Sequence, residues 1–228
     1  MAHPPGAGAD APPDRRRRLL ERAEATPGFF PLEEALALHE AARVALAAAP
    51  GPIVEIGAYL GRSTLFLAAA CAAAPPGRGA VVFSVDHHRG SEEMQAGSEH
   101  HDPTLVDPAS GRMDSLPAFR AALAAAGVED LVVAVVGGSA TVAANWRTPA
   151  ALVLIDGGHG AAVARADYEG WSPHVAAGGL LAIHDVFPDP ADGGRPPYEC
   201  YLAALSSGRF VEDEAAGCGS LRVLRRLG

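Results

Sequence analysis

Residues 55 to 64 read Glu55-Ile56-Gly57-Ala58-Tyr59-Leu60-Gly61-Arg62-Ser63-Thr64. The apolar, β-branched run that ends at Ile56 predicts a strand. Gly57 and Gly61 permit backbone angles or close approaches that a Cβ would prevent, and Ser63-Thr64 ahead of an apolar run predicts a helix start. These ten residues therefore predict a strand, a glycine-containing turn and a helix, in that order.

The turn differs from the phosphate-binding turn of dinucleotide sites, in which Gly-x-Gly-x-x-Gly presents bare amides to a pyrophosphate. Glu55 replaces the first of those glycines. A carboxylate repels a diphosphate but attracts a nucleoside-like ligand with ammonium and sulfonium charges, such as S-adenosylmethionine. The segment alone leaves open a structural turn in some other α/β protein.

The length and composition are consistent with one enzyme-sized unit and argue against a large polyanionic substrate. The 228 residues carry a net charge of −9 and contain no lysine, which argues against a nucleic-acid partner because such partners need clustered cations. The 3 cysteines are too few for a disulfide framework, so we expect a reducing, cytoplasmic location. We identify no signal peptide and no apolar run of the roughly 20 residues that a membrane span requires, so no membrane partner is expected.

The chain divides into three predicted parts. Residues 1–13 are rich in Ala, Pro and Gly and predict a disordered tail, residues 14–50 predict N-terminal helices, and residues 51–228 predict the ligand-binding domain. In that domain apolar strands alternate with helices, which predicts a doubly wound, Rossmann-like, mostly parallel sheet with helices on both faces. Two segments near residues 209–214 and 220–226 predict an antiparallel C-terminal hairpin.

Polar residues stand where the predicted strands end. They are Glu55, Asp86, Gly138-Ser139, Asp156 with His159, and His184-Asp185. Ligands of open α/β sheets bind at the carboxyl ends of the strands, so these residues form the candidate site. Asp86 lies near the separation from the glycine turn at which an acid binds ribose hydroxyls, with a turn or helix cap as its structural alternative.

With these motifs in this order, the chain resembles class I S-adenosylmethionine-dependent methyltransferases. It is most similar to catechol-O-methyltransferase-like enzymes and to bacterial sugar and small-molecule O-methyltransferases. The resemblance spans about residues 32–226 and is carried by the blocks Val54 to Ser63, Val85-Asp86, Val136 to Ala140, Leu154 to His159 and Gly178 to Val186. It implies the α/β sheet described above and S-adenosyl-L-methionine as the cofactor.

The resemblance also implies roles for particular residues. Glu55, Gly57 and Tyr59 would hold the amino-acid end of the cofactor, Asp86 its ribose, and Gly138, Ser139 and Ala140 its adenine. The complete expected cofactor-binding set is Glu55, Gly57, Tyr59, Gly61, Ser63, Asp86, Gly138, Ser139, Ala140 and Asp156.

In metal-dependent members, the corresponding strand ends bind a divalent cation, which here implies Asp156, His184 and Asp185 as ligands. His184 departs from the pattern, because an oxygen ligand is more usual there. Imidazole suits Mg²⁺ less well than Mn²⁺, Fe²⁺ or Zn²⁺; we expect a divalent metal, Mg²⁺ or Mn²⁺, with its identity open. The alternative is that His184 is a hydrogen-bonded core residue and that no metal binds.

Catechol-type enzymes carry a catalytic lysine three residues after the acid that corresponds to Asp156, and His159 stands there in this chain. An imidazole with an ordinary pKa accepts a hydroxyl proton near neutral pH, so we predict that His159 is the general base and that Asp156 assists catalysis. The alternative role of His159 is to cap the helix that follows.

The segment from His87 to Asp114 is long, polar and rich in histidine, and it predicts a lid or an acceptor-binding loop. The expected acceptor is a small hydroxylated molecule, with a saccharide as one candidate. A homodimer is a further expectation. The alternatives are a metal-independent methyltransferase, a nicotinamide-dependent oxidoreductase and a non-catalytic ligand-binding module.

Overall fold

The computed structural model describes residues 12–75, 80–98, 100–192 and 194–228. The first elements that the structure describes are helices α1 (Pro12–Ala25) and α2 (Leu32–Ala48). The predicted tail, residues 1–13, lies outside the described residues except for its last two positions, which begin α1.

A mixed sheet forms the centre of the molecule. Its strands are β1 (Ile53–Ile56), β2 (Val82–Asp86), β5 (Val132–Val136), β6 (Ala150–Ile155), β7 (Val175–Ile183), β8 (Phe210–Glu212) and β9 (Arg222–Arg226). Their order is β5-β2-β1-β6-β7-β9-β8 in one 7-stranded sheet. The β5-β2-β1-β6-β7 pairings are parallel, whereas β9 is antiparallel to both β7 and β8. The predicted fold class and C-terminal hairpin are therefore confirmed.

Helices cover both faces of this sheet. They are α3 (Arg62–Ala72), α4 (Leu116–Ala126), α5 (Ser139–Asn145), α6 (Ala161–Trp171) and α7 (Pro196–Ser206), in addition to α1 and α2. Successive strand residues point to opposite faces, so Ile53 joins an apolar cluster with residues of α1 to α4, and Val54 joins a second cluster with residues of α5 to α7. Among the described residues, no helix is long and apolar enough to cross a membrane.

Some boundaries differ from the predicted ones. The apolar run from Leu180 to Asp185 predicts a strand, but β7 begins earlier, at Val175. The pattern of residues 161–174 predicts a helix from Ala161 to His174. Helix α6 ends at Trp171 and is followed by a 3₁₀ turn that contains Pro173, because proline cannot supply the next helical N–H. The segment 87–114 contains 3₁₀ turns and a small hairpin of β3 (Val106–Asp107) and β4 (Arg112–Met113).

The register of strands β1, β6 and β7 places the candidate residues at the same level along the sheet. Ile56 of β1 pairs with Ile155 of β6, and Ile155 pairs with Ile183 of β7. The residues that follow these three are Gly57, Asp156 and His184, which consequently lie side by side at the carboxyl edge of the sheet.

Gly57 allows this close alignment. Its φ is +89°, and a Cβ at this position would overlap the backbone carbonyl of Asp156. Glycine is therefore required both by the backbone conformation and by the approach of the neighbouring chain.

We predict that Gly57→Ala lowers the free energy of unfolding by about 3 kcal/mol or more, because backbone strain adds to a clash with rigid main chain. Gly97→Ala is the matched control: Gly97 has the same φ of +89°, and a Cβ added there would meet nothing within 4 Å. Conformational strain alone should cost about 1 kcal/mol there. Urea denaturation of both variants measures the difference, and equal costs would contradict the steric argument.

Candidate active site

A cavity of about 780 Å³ opens at the carboxyl edge of the sheet. This volume is within the usual range for sites that bind small molecules. Most of the predicted site residues line it: Gly57, Tyr59, Ser63, Asp86, Gly138, Ser139, Ala140, Asp156, His159, His184 and Asp185. Glu55 and Gly61 do not belong to its lining. Gly61 instead precedes α3 with a φ of 94° and so permits the entry of the chain into that helix.

Asp86 holds the glycine turn in shape. Its Oδ2 accepts hydrogen bonds from the amides of Ala58 at 3.0 Å and Tyr59 at 2.9 Å, and its Oδ1 accepts one from the amide of His88 at 2.7 Å. The carboxylate lies at the cavity wall. Asp86 thus organises the turn in addition to facing the space predicted for a ribose.

Glu55 was predicted to contact the ligand directly, but its side chain does not line the cavity. Its side chain is fully buried, and the hydroxyls of Thr64 and Ser84 each donate to Oε2 at 2.6 Å. Its other oxygen, Oε1, has no hydrogen-bond partner among the described residues. Burial raises the pKa of Glu55 to about 7, although the hydroxyl hydrogen bonds oppose this shift. Glu55 therefore lies behind the cavity wall and is not part of its lining.

Backbone strain concentrates around the cavity. Tyr59, His88 and Asp185 are the described non-glycine residues with positive φ, at 47°, 56° and 55°. Tyr59 and Asp185 line the cavity, and His88 is held beside it by a 2.8 Å contact between Nδ1 and the Ser115 hydroxyl. Such strain persists only where surrounding contacts determine the conformation, and it is typical of functional sites.

Asp156, His184 and Asp185 bring three donor atoms within 4.8 Å of one another. His184 Nδ1 lies 2.8 Å from Asp156 Oδ1 and 3.2 Å from Asp185 Oδ2. Burial raises the pKa of Asp156, whereas the pKa of Asp185 is lowered because hydrogen bonds from His159 and His184 outweigh its burial. The predicted ligand set is thus gathered at one point of the cavity wall.

His184 has a second carboxylate contact that the sequence analysis did not anticipate. Its Nε2 lies 2.9 Å from Oε2 of Glu34, a buried residue of α2. The ring of Phe30 stacks on the imidazole at a centroid distance of 3.9 Å and an interplanar angle of 13°. Burial alone would lower the pKa of His184, but the surrounding carboxylates, Asp156 foremost, raise it to about 12.

His159 also lies between two carboxylates. Its Nε2 is 2.9 Å from Asp185 Oδ2, and its Nδ1 is 3.3 Å from Glu93 Oε1. The hydrogen bond with Asp185 raises the pKa of His159 even though partial burial opposes this. An imidazole in this position is oriented by Asp185 and is covered by the segment that carries Glu93.

The segment 87–114 closes over the cavity from two sides. Glu92 packs so close to Gly158 and Gly160 that a Cβ on either glycine would contact its carboxylate. On the other side, the ring of His100 lies 4.9 Å from that of Phe29, which stacks on Tyr59 at 5.4 Å. We keep the predicted name, the lid, for the described residues of this segment, 87–98 and 100–114.

Asp167 of α6 is a further cavity residue that the sequence analysis did not predict. It is buried, lines the cavity and would contact a Cβ placed on Gly157. Burial raises its pKa. A signal for both Asp167 and Glu34 is present in the sequence, because each acid occupies the apolar stripe of its helix, and buried acids are rare without a specific partner.

Comparisons with known proteins identify the family and the fold. A family model described as a methyltransferase domain matches residues 54–186. Among solved structures, the O-methyltransferase NovP has a TM-score of 0.67 at 13% identity and covers 95% of this chain and 98% of that chain.

Two further structures have a similar fold. The calicheamicin methyltransferase CalS11 has a TM-score of 0.60 at 19% identity, covering 99% of both chains. The O-methyltransferase TomG of Streptomyces achromogenes, which is involved in tomaymycin synthesis and was solved in complex with SAM, has a TM-score of 0.59 at 16% identity. The match covers 96% of this chain and 91% of TomG. At these identities the likeness concerns the fold.

We predict that Glu55→Gln changes how stability depends on pH. Because folding raises the pKa of Glu55 from 4.5 to about 7, the folded protein keeps a proton that the unfolded chain releases in that window. The stability of the wild-type protein therefore falls as the pH rises from 4.5 to 7. The free energy of unfolding of Glu55→Gln minus that of wild type should therefore be about 2 kcal/mol larger at pH 8 than at pH 5. Urea unfolding at both values measures this, and a constant difference would contradict it.

Proposed function

Because the chain belongs to the methyltransferase domain family, we propose that it is an S-adenosylmethionine-dependent O-methyltransferase acting on a hydroxyl of a small polar acceptor. One observation carries the proposal: a single cavity is lined both by the glycine turn after β1 and by Asp156, His159, His184 and Asp185. The proposed donor site and the residues proposed for acceptor activation therefore face the same space.

The glycine turn is proposed to hold the methyl donor. Gly57 and Tyr59 would border its amino-acid end, Asp86 its ribose, and Gly138 to Ala140 its adenine. The Oε1 atom of Glu55, which has no hydrogen-bond partner in the part of the chain that the structure describes, lies behind this wall. A nearby positive charge, such as the ammonium of the donor, would stabilise the ionised form of this carboxyl group. Methyl transfer is an in-line displacement, so the main task of these residues is alignment of the two reactants.

A divalent cation is proposed at Asp156, His184 and Asp185. The donors fit such an ion, since two carboxylate oxygens and one imidazole nitrogen converge within 4.8 Å. The remaining nitrogen of His184 contacts the Glu34 carboxylate, an arrangement typical of metal-binding histidines. When bound, the cation supplies Lewis acidity that lowers the pKa of the acceptor hydroxyl and orients it. One imidazole among oxygen donors favours Mn²⁺ over Mg²⁺.

His159 is proposed to take the acceptor proton. Asp185 orients the ring through Nε2, which leaves Nδ1 as the nitrogen that accepts a proton. In the described conformation Nδ1 faces Glu93 at 3.3 Å, so the lid carboxylate has to withdraw before a hydroxyl takes its place. The contact therefore links acceptor entry to a movement of the lid.

The surroundings of the cavity favour a neutral, polyhydroxylated acceptor such as a saccharide. The lid and the opposite wall contribute Glu92, Glu93 and Asp192, whose carboxylates accept hydrogen bonds from hydroxyls. Arg62 also lines the cavity, but its guanidinium donates to the carbonyls of Glu24, Thr26 and Phe30. The carboxylates of Glu92, Glu93 and Asp192 would repel an anionic acceptor.

A cytoplasmic location and a homodimer remain part of the proposal. The cysteines are free thiols, which suits a reducing compartment. Val133 and Val136 are exposed on β5, the strand at one edge of the sheet, and such apolar edges are commonly covered by a partner. Light scattering coupled to size exclusion tests the dimer.

A metal-independent methyltransferase is the second candidate. His184 Nδ1 lies at hydrogen-bond distance from Asp156, at 2.8 Å, and close to Asp185, at 3.2 Å. A protonated imidazole in this position itself compensates the charge of the two carboxylates. In that case methyl transfer would depend only on the alignment of donor and acceptor and on proton removal by His159.

We predict that His159→Ala reduces methyl transfer by about 100-fold or more, because general base catalysis typically contributes that much. Transfer from radiolabelled donor to a panel of sugars and polyols measures this. Binding of S-adenosylhomocysteine should change less than about 2-fold, since cofactor alignment does not depend on this ring. His174→Ala is the control, because His174 lies outside the cavity lining. Undiminished methyl transfer by the His159→Ala variant would exclude His159 as the general base.

We predict that treatment with a chelator lowers transfer by about 100-fold and that added Mn²⁺ restores it, because the cation activates the acceptor. Mg²⁺ should restore less. Binding of S-adenosylhomocysteine, followed by calorimetry, should persist in the chelator. Full activity after chelation would favour the metal-independent candidate.

A further inference from the structure

We infer that Glu34 is a positioning residue for His184: its carboxylate holds the imidazole through Nε2 so that Nδ1 faces the two aspartates. The inference rests on the metal site of the proposed function. It assigns a role at the site to helix α2, which the sequence analysis treated as separate from the ligand-binding domain.

Glu34 is itself held firmly. Its Oε1 accepts a hydrogen bond from the Ser220 amide at 3.0 Å, and its Oε2 accepts one from the Ser220 hydroxyl at 2.9 Å. The adjacent Gly219 has no room for a side chain, because a Cβ there would overlap the Glu34 carboxyl group. The acceptor that faces His184 is thus fixed by the turn between β8 and β9, not by the rotamer preference of a free glutamate.

The imidazole has little freedom to turn. Glu34 contacts Nε2 at 2.9 Å, Asp156 contacts Nδ1 at 2.8 Å on the opposite side of the ring, and Phe30 covers one ring face. The ring is also buried, with 4% of its side chain exposed. Rotation about the Cβ–Cγ bond would lose both nitrogen contacts and the stacking at once.

This geometry matters for metal binding because a histidine ligand offers the nitrogen that bears no hydrogen. In the neutral ring that would bind the proposed cation, Nε2–H donates to Glu34 and the lone pair is on Nδ1, the nitrogen on the side of Asp156 and Asp185. Loss of such an outer carboxylate typically weakens metal affinity by about 10- to 100-fold. A merely structural ion pair would instead change stability and leave the affinity of the folded protein unaltered.

The test compares Mn²⁺ affinity of the full chain, measured by the EPR signal of free Mn²⁺, in wild type, Glu34→Gln and Glu33→Gln. Glu33 is adjacent to Glu34 and less buried, so it provides the same chemical change away from His184. Glu34→Gln should weaken Mn²⁺ binding by about 10- to 100-fold, and Glu33→Gln by less than about 2-fold. The amide introduced by Glu34→Gln has no negative charge and can present its NH₂ group to Nε2, which favours the wrong tautomer.

A double-mutant cycle separates positioning from structure. In a His184→Asn background no ring N–H exists, so Glu34→Gln should change Mn²⁺ affinity by less than about 2-fold. Glu34→Asp, whose shorter side chain retracts the carboxylate, provides a second variant and should weaken Mn²⁺ binding as Glu34→Gln does. Binding of S-adenosylhomocysteine reports whether each variant is folded.

Three outcomes would overturn the inference. In the first, Glu34→Gln binds Mn²⁺ as wild type does. In the second, Mn²⁺ binding weakens equally in the His184→Asn background. In the third, both Glu34 variants lose S-adenosylhomocysteine binding together with Mn²⁺, which would mark Glu34 as a residue that only holds the fold. Failure of the wild-type protein to bind Mn²⁺ would instead remove the metal site itself and the inference with it.

Discussion

Main-chain hydrogen bonding between β1, β6 and β7 is the constraint on which the site depends. The pairs Ile56–Ile155 and Ile155–Ile183 put the next residue of each strand at the same height. The sheet then delivers a glycine, an aspartate and a histidine to adjacent points without any contribution from their side chains. Since a shift of one residue would turn every side chain to the other face, the apolar clusters on both faces also protect the geometry of the site.

The second organising feature is an accumulation of acids around two histidines. His184 lies among Glu34, Asp156 and Asp185, while His159 lies between Asp185 and Glu93. Asp185 belongs to both groups and therefore couples them. Carboxylates at such short separations need positive charge between them, and the imidazoles and the proposed cation are the groups that supply it. The lid contributes to this balance through Glu93, so its position alters the charge around the proposed base.

Much of this arrangement was predictable from the sequence, and the reasons for the failures are physical. Strand ends are local features, so Asp86, Asp156, His184 and Asp185 were identified from apolar runs followed by polar residues. Contacts that join distant segments left no local signal of pairing: Glu34 lies 150 residues from His184. Glu55 was expected to contact a ligand because of its charge. Its placement behind the wall depends on the hydroxyls of Thr64 and Ser84, which no spacing rule reveals. The family and fold predictions are confirmed, whereas the roles of individual residues stay predictions.

The Glu34 carboxylate also bears on how this enzyme could be divided. The recognised family region spans residues 54–186, yet the acceptor for His184 precedes it and Ser220, which anchors that acceptor, follows it. Trimming to the recognised region would remove Glu34 together with Phe30, which stacks on the imidazole, so the ring would lose the contacts that hold it. A unit that keeps these contacts therefore reaches from α2 to the C-terminal hairpin. Grafting the recognised region alone would transfer the parallel strands but neither the antiparallel pair β8-β9 nor Glu34.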